Sequence, residues 1–310
     1  MTMTKRVARL RRQSLEAQPA ISTERAELLT EFCKQSTELM STPMRRAHAF
    51  QHLLEHKTIH IGEGELIVGE KGPAPKATPT YPELCCHSLS DLDILDSREK
   101  VSFSVSPEAR TTYEETVIPF WHARAMRDLI FGEMSDDWKA AYEAGVFTEF
   151  MEQRSPGHTV LDDKIYRRGL IGFQEDIEAS LDALDYFADP DAYAKQGQLR
   201  AMALSADALI RFARRHAQVA QEQAEVETDP VRKAELERIT QVCSHVPANA
   251  PRDFWEALQY YWFVHLGVTI ELNPWDAFCP GKLDQHLLPF YRDGLQAGTL
   301  TPDLAQELLQ

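Results

Sequence analysis

Apolar residues recur at helical spacing along most of this chain, and capping residues punctuate them. Between positions 169 and 242, Ile177, Leu181 and Leu184 fall on one stripe and Leu199, Met202, Ala206 and Ile210 on another, the three-and-four spacing of helices with one face turned inward. Breaks near Asp189-Pro190 and at Thr228-Asp229 divide that block into helical hairpins. Thr42-Pro43 predicts a helix to about His56, Ser106-Pro107 opens another and Ser135 caps a third. Asp229-Pro230 starts one that carries Ala234, Leu236 and Ile239, and Thr301-Pro302 starts a last one with Leu304, Leu308 and Leu309 on one stripe. In each, a side-chain oxygen is placed to satisfy a first-turn N–H, and where a proline follows, it occupies a position whose N–H would have no helical partner. The basic N-terminal segment reads as a first helix with Val7 and Leu10 packed inward. From Phe254 to Val268 apolar residues occupy every face, which predicts a buried helix. The polar residues at its end, Glu271, Asn273 and Asp276, then lie near or inside the protein.

Strand signals are few. Thr58–Ile61 and Glu65–Val68 flank Gly62-Glu63-Gly64 and predict a hairpin, and Val101–Val105 alternates like an edge strand. Prolines at 73, 75, 79 and 82 exclude regular structure from the 72–82 segment in this reading. Without repeats or a linker, the chain reads as a single unit, mostly α with short strands.

Composition narrows the function classes. The 310 residues are 43% hydrophobic and 26% charged, the balance of a globular chain, and the formal net charge of -15 argues against nucleic acid or an anionic membrane as partner. No apolar run reaches spanning length, so a soluble, cytoplasmic protein is expected. Cys33, Cys85, Cys86, Cys243 and Cys279 lack the spacing of a disulfide framework. Phosphate-binding loops, dinucleotide fingerprints, nucleophile elbows and zinc-protease pairs are absent from the sequence.

Two stretches carry candidate chemistry. In Phe147–Thr159, Glu149, Glu152, Gln153, Arg154 and His158 crowd around aromatic residues before a Pro-Gly turn. Such a set suits a pocket in which apolar side chains exclude water and strengthen polar contacts, and it equally suits a solvated helix end. Asp276 sits between Trp275 and Phe278, as a carboxylate accepting hydrogen bonds from an ammonium or hydroxyl ligand would, or as half of a structural ion pair with Lys282 or an arginine. Cys85-Cys86-His87 is a poor metal site, since adjacent cysteines rarely ligate one zinc, and no metal is expected.

Thr80–His87, Phe147–Arg154 with Gly157–Thr159, Thr269–Phe278 and Pro280–His286 together resemble the glycyl radical enzymes related to pyruvate formate-lyase. The resemblance runs in order over the whole chain, 1–310, and is nearest to the branch that dehydrates trans-4-hydroxy-L-proline to a pyrroline carboxylate. It implies the N-terminal part of an α/β barrel, ten-stranded, made of two parallel half-barrels in a helical shell. The cofactor implied is a glycyl radical, installed by an activating enzyme that uses an iron-sulfur cluster and S-adenosylmethionine. That radical passes to a cysteine thiyl, which removes a hydrogen atom from substrate. A homodimer is implied for the complete enzyme.

Carried over by motif, Phe150 matches an aromatic wall of the substrate-ring pocket and Asp276 an acidic contact to the substrate's polar edge. His158 matches a histidine near the departing hydroxyl, where it could help protonate it. Cys279 departs from the hydroxyl residue expected there. Neither the thiyl cysteine loop nor the radical glycine has a counterpart in the sequence, so the resemblance implies a fragment. Sister lyases that cleave isethionate or resemble formate acetyltransferase are the alternative within the family, and a non-catalytic helical assembly protein the alternative outside it. The isolated chain is expected to lack turnover and to aggregate or stay molten, its apolar faces and strand edges uncovered. Size exclusion and calorimetry check this: a monomer that melts cooperatively would contradict it and favour the stand-alone helical protein.

Overall fold

A computed structural model describes residues 3–36, 40–147, 161–272 and 280–310. In chain order these form α1 (Lys5–Glu16), β1 (Ala20–Ser22), α2 (Glu24–Gln35), α3 (Thr42–His56), β2 (Ala77–Pro79) and α4 (Leu89–Ser97). Next come α5 (Pro107–Thr112), a π turn at Tyr113–Val117, α6 (Ile118–Trp121), α7 (Met126–Glu133) and α8 (Asp136–Glu143). A 3-10 turn at Asp162–Tyr166 leads to α9 (Leu170–Asp182), α10 (Ala192–Val226), α11 (Pro230–His245), α12 (Phe254–Glu271), α13 (Leu283–Ala297) and α14 (Pro302–Leu309). The described residues are thus mostly helical, as their apolar spacing predicts. Four caps act as expected, Ser106, Ser135, Asp229 and Thr301 each accepting a first-turn backbone N–H, whereas α3 begins at Thr42 itself and its cap residue, Ser41, makes no side-chain hydrogen bond. No described helix is long and apolar enough to cross a membrane.

The core gathers around α12 and α10. Tyr260, Phe263, Leu266 and Ile270 of α12 meet Phe212, Ala213 and Ala220 of α10, Leu53 and Leu54 of α3, and Leu236 and Ile239 of α11. Alanines at 208, 213, 217, 220 and 224 are buried along α10, and their small side chains let neighbouring helices approach closely. Met202, expected on the inward stripe, is instead exposed. With Leu199 and Ala206 it faces a cleft, because the alanine-rich side of α10 takes the core contacts.

The hairpin expected at 58–68 does not form. Residues 65–69 form no strand, bend at 66–67 and lie against α12, whose side chains take the place of a strand partner. Gln259 accepts from the Val68 N–H at 2.8 Å and donates to the Val68 carbonyl at 2.8 Å. One turn to either side, the indole N–H groups of Trp255 and Trp262 donate to the carbonyls of Leu66 and Gly69 at 3.0 and 2.9 Å. The apolar run in Glu65–Val68 thus marks buried positions, Leu66 and Val68, but no strand forms there and the partner of the segment is a helix. Gly69 permits the approach: its φ is +121°, and a Cβ there would lie 2.5 Å from Leu266 Cδ1.

The sheet that does form is parallel and lies where proline density argued against regular structure. Ala20 pairs with Ala77, Ile21 with Thr78 and Ser22 with Pro79. Pro79, which has no N–H to give, sits at the strand's last position, where it is tolerated. Of the edge strand expected at 101–105, a single bridge from Ser104 to Ala20 remains.

His216 of α10 is fully buried, with Nδ1 2.9 Å from the Phe212 carbonyl. Burial pushes its pKa down to about 3 against that hydrogen bond, and the nearby charges of Lys57 and Arg215 lower it further. Between that value and the ordinary value near 6.5 the unfolded state alone binds the proton, so stability falls as pH drops through this window, by at most about 1.4 kcal/mol per pH unit. Replacing His216 with Phe in the full-length protein is expected to flatten the acid limb of a melting-temperature profile between pH 6.5 and 3. Gln259→Leu is expected to leave both Val68 groups unpaired, costing about 1–3 kcal/mol for each, and to speed hydrogen exchange at the Val68 amide.

Candidate active site

The C-terminal end of α12 is built by residues far from it in sequence. The last carbonyls of a helix have no intrahelical partner, and buried ones need donors from elsewhere. Here the Tyr81 hydroxyl donates to the Thr269 carbonyl, Arg25 Nε to the Ile270 carbonyl at 2.6 Å and Arg25 Nη2 to the Glu271 carbonyl at 3.4 Å. Arg25 is itself held. Its Nη1 donates to the Thr80 carbonyl at 3.2 Å and to Glu83 Oε2 at 3.1 Å, its Nη2 lies 2.6 Å from Glu83 Oε1, and its guanidinium stacks 3.9 Å from the Tyr81 ring centre.

Electrostatics suit that arrangement. Only 6% of Arg25 is exposed. Burial lowers its pKa, but the Glu83 charge and hydrogen bond outweigh it and hold the pKa above its usual value, so the cation persists at the negative end of the helix dipole. Burial also raises the Tyr81 pKa well above the phenol range, so its hydroxyl keeps the proton it donates. A second brace comes from α3, where Arg46 Nε donates to Glu271 Oε1 at 3.0 Å.

The flanks of the two candidate stretches meet at the surface that α12 helps form. Leu161, which directly follows the 148–160 segment, and Leu272, which directly precedes 273–279, line one cleft of about 680 Å³ between α3, α9, α10 and α12. Its walls are mainly apolar, with Phe50, Phe173, Ile177 and Val264 among them, and Arg46, Glu271 and Asp176 add charge. A second contact joins the same two regions: His286 Nε2 lies 3.7 Å from Asp162 Oδ1. The His286 ring sits 5.3 Å from Tyr166, and its buried Nδ1 has no hydrogen-bond partner among the described residues.

Phe150, His158 and Asp276 lie outside the described residues, as do Glu149, Glu152, Gln153, Arg154 and Cys279. What is described is the frame around them. In the Cys85-Cys86-His87 stretch, Cys85 Sγ is 3.2 Å from Arg127 Nη1, burial pushes the Cys86 thiol up to about 12, and burial lowers the His87 pKa. Among the described residues no cluster of His, Cys, Asp or Glu could hold a metal ion. Arg25 went unnoticed in the sequence because α2 reads as a charged surface helix. Its one local signal is that it shares a helical stripe with Leu29 and Phe32.

The fold agrees with comparisons to known proteins. Residues 2–310 match the pyruvate formate lyase-like family, and the chain belongs to it. It is 50% identical over 98% of its length to trans-4-hydroxy-L-proline dehydratase from Clostridioides difficile. A crystal structure of hydroxyproline dehydratase from that organism, with trans-4-hydroxy-L-proline bound, superposes with a TM-score of 0.95 at 50% identity, covering 99% of this chain and 39% of the other. Isethionate sulfite-lyase from Oleidesulfovibrio alaskensis is 35% identical over 94% of the chain, and a glycyl radical enzyme from Archaeoglobus fulgidus superposes with a TM-score of 0.87 at 30% identity, covering 96% of this chain and 38% of the other. The chain spans 39% of the length of the dehydratase and 36% of that of the sulfite-lyase.

Proposed function

We propose that this chain is the N-terminal part of a glycyl radical dehydratase, a C–O lyase that converts trans-4-hydroxy-L-proline to a pyrroline carboxylate. The observation that carries the reading is 50% identity along 98% of the chain to a hydroxyproline dehydratase, well above the 35% to the sulfite-lyase. Residues 1–310 would form one wall of a barrel of two parallel half-barrels. The cysteine and glycine of the radical relay would belong to other parts of the polypeptide, which would be cytoplasmic, homodimeric and activated by an iron-sulfur enzyme using S-adenosylmethionine.

The glycyl radical and its cysteine would supply hydrogen-atom transfer, removing a hydrogen atom from the carbon next to the ring nitrogen and returning one to C4 once the hydroxyl has left and a ring N–H proton has passed to solvent. The residues of this chain would do the rest. Asp276 would accept hydrogen bonds from the ring ammonium and so fix which carbon faces the cysteine. His158, protonated, would give its proton to the C4 hydroxyl as the C–O bond breaks, so that the oxygen departs as water and not as hydroxide. Phe150 would close one side of the ring pocket and exclude solvent from both contacts. The cleft bordered by Leu161 and Leu272 supports this division of labour, because it places the flanks of both motif stretches on one surface.

A second reading, a sister lyase acting on isethionate, draws on the 35% identity to the sulfite-lyase. Assay of the activated full-length protein on both compounds separates the two. Pyrroline carboxylate from hydroxyproline with no sulfite from isethionate is expected, and the reverse pattern overturns the dehydratase reading. In the same protein, Asp276→Asn is expected to lower kcat/KM by about 10–100-fold, the loss of one charge-assisted hydrogen bond, with an unchanged glycyl radical signal in electron paramagnetic resonance. Loss of that signal would count against its contact with substrate.

A further inference from the structure

We infer that Arg25, Tyr81 and Glu83 form a positioning clamp that sets where the chain leaves α12 and thereby where Asp276 is presented to substrate. This rests on the reading that Asp276 touches substrate. The geometry of the clamp does not.

Three consecutive carbonyls at the end of α12, those of Thr269, Ile270 and Glu271, take their hydrogen bonds from Tyr81 and Arg25. Roughly a third to a half of helices end on a residue in the left-handed region, usually glycine, as α13 does at Gly298. Helix α12 ends on Leu272 in extended conformation, with φ of -104° and ψ of 153°. No glycine provides flexibility here, and the carbonyls are gripped from α2 and from the loop at 80–83. Only three residues lie between Leu272 and Asp276 in the sequence, so the chain cannot carry their Cα atoms more than about 14 Å apart. A change in the direction of exit is therefore carried over a short lever to the carboxylate. For a group that orients a reacting ring, displacement of about 1 Å is enough to cost up to about 100-fold in rate.

The clamp's chemistry is specific. The guanidinium serves two carbonyls of α12, the Thr80 carbonyl and both oxygens of Glu83 at once. A lysine ammonium, with three donors and no planar fork, could not do this. Glu83 keeps Arg25 charged, since a buried guanidinium without its carboxylate is costly. Tyr81 has two separable parts: its ring lies under the guanidinium and its hydroxyl reaches the Thr269 carbonyl. The Tyr81→Phe substitution removes the second part and keeps the first, so it loosens the exit without unpairing the buried charge.

The test uses the activated full-length protein with hydroxyproline as substrate. Tyr81→Phe is expected to raise KM about 5–10-fold, leave the glycyl radical signal at the wild-type level and speed hydrogen exchange in a peptide covering 268–276. Tyr81→Phe combined with Asp276→Asn is expected to have the KM of Asp276→Asn alone, because the clamp acts through that carboxylate. Additive effects in the double variant, or a wild-type KM in Tyr81→Phe, would overturn the inference. If Asp276→Asn alone retains wild-type KM and kcat, the assignment of Asp276 to substrate fails, and the clamp's catalytic role fails with it. Faster exchange in Tyr81→Phe would then show that the mechanical part was sound and that the functional reading was the error.

Discussion

Helix α12 is sealed from water along most of its length, so the polar groups it carries or touches must find partners inside the protein. A buried amide or carbonyl without a partner costs about 1–3 kcal/mol, a large fraction of the net stability of any domain. The neighbours of α12 are arranged accordingly. At its start, Asp253 accepts the Glu256 N–H at 3.0 Å, and the Glu256 carboxylate, with none of its surface exposed, is held by Arg252 at 2.6 Å. Burial would raise the Glu256 pKa, but hydrogen bonds from the Arg252 side chain and backbone more than reverse this, so the carboxylate stays ionised. Along its flank, Trp255, Gln259 and Trp262 satisfy backbone groups of the 66–69 segment. At its end, Arg25 and Tyr81 take over. Segments that share little with one another in sequence are tied into one body because each supplies something that the central helix lacks.

The same constraint explains why an acidic chain concentrates cations and neutral bases in its interior. Lys57 is almost wholly buried and donates to the Thr58 and Glu70 carbonyls at 3.1 and 2.9 Å. Burial pulls its pKa down to about 8, against the pull of Glu24. Arg215 donates to the carbonyls of Leu54 and Lys57 at 2.6 and 2.8 Å, closing the end of α3 as Arg25 closes the end of α12. Backbone carbonyls at buried helix ends call for positive donors, whatever the net charge. The surplus of acidic residues is a property of the surface and carries no information about this internal pattern.

That division decides how much of the structure was legible in the sequence. Helices with a polar outer face and a capped start, such as α8 and α11, are local facts, because spacing and cap lie within the same few residues. The buried character of α12 was legible too, from apolar residues on every face. The 65–69 segment shows the limit. Its apolar run reports burial but not what the backbone pairs with, and a helix that presents Gln259 and two indoles can take the place of a strand partner. Arg25 shows it more sharply, since its role depends on Glu83 and on Ile270, which is 245 positions away. The motif at 80–87 was recognised by resemblance before its physical task was visible, and that task proves to be support: Tyr81 and Glu83 serve the helix end, while the two cysteines and His87 join no metal cluster among the described residues.

The candidate site inherits this logic. The stretch from 273 to 279 is preceded by a helix end gripped by donors from two other segments and followed by α13, whose His286 reaches back to Asp162. The stretch from 148 to 160 is preceded by Phe147, packed edge-on against Trp138 at 5.2 Å, and followed by Leu161 and Asp162, both with positive φ. Residues that touch a substrate contribute binding only if their position costs nothing at the moment of reaction, and that position is set by whatever fixes the flanking backbone. In this chain the flanks are fixed by ordinary structural means: capped helix ends, an aromatic edge contact and a histidine beside a carboxylate. Divergence in substrate among relatives that share this frame can then arise within the two short stretches, while the helices that aim them stay the same.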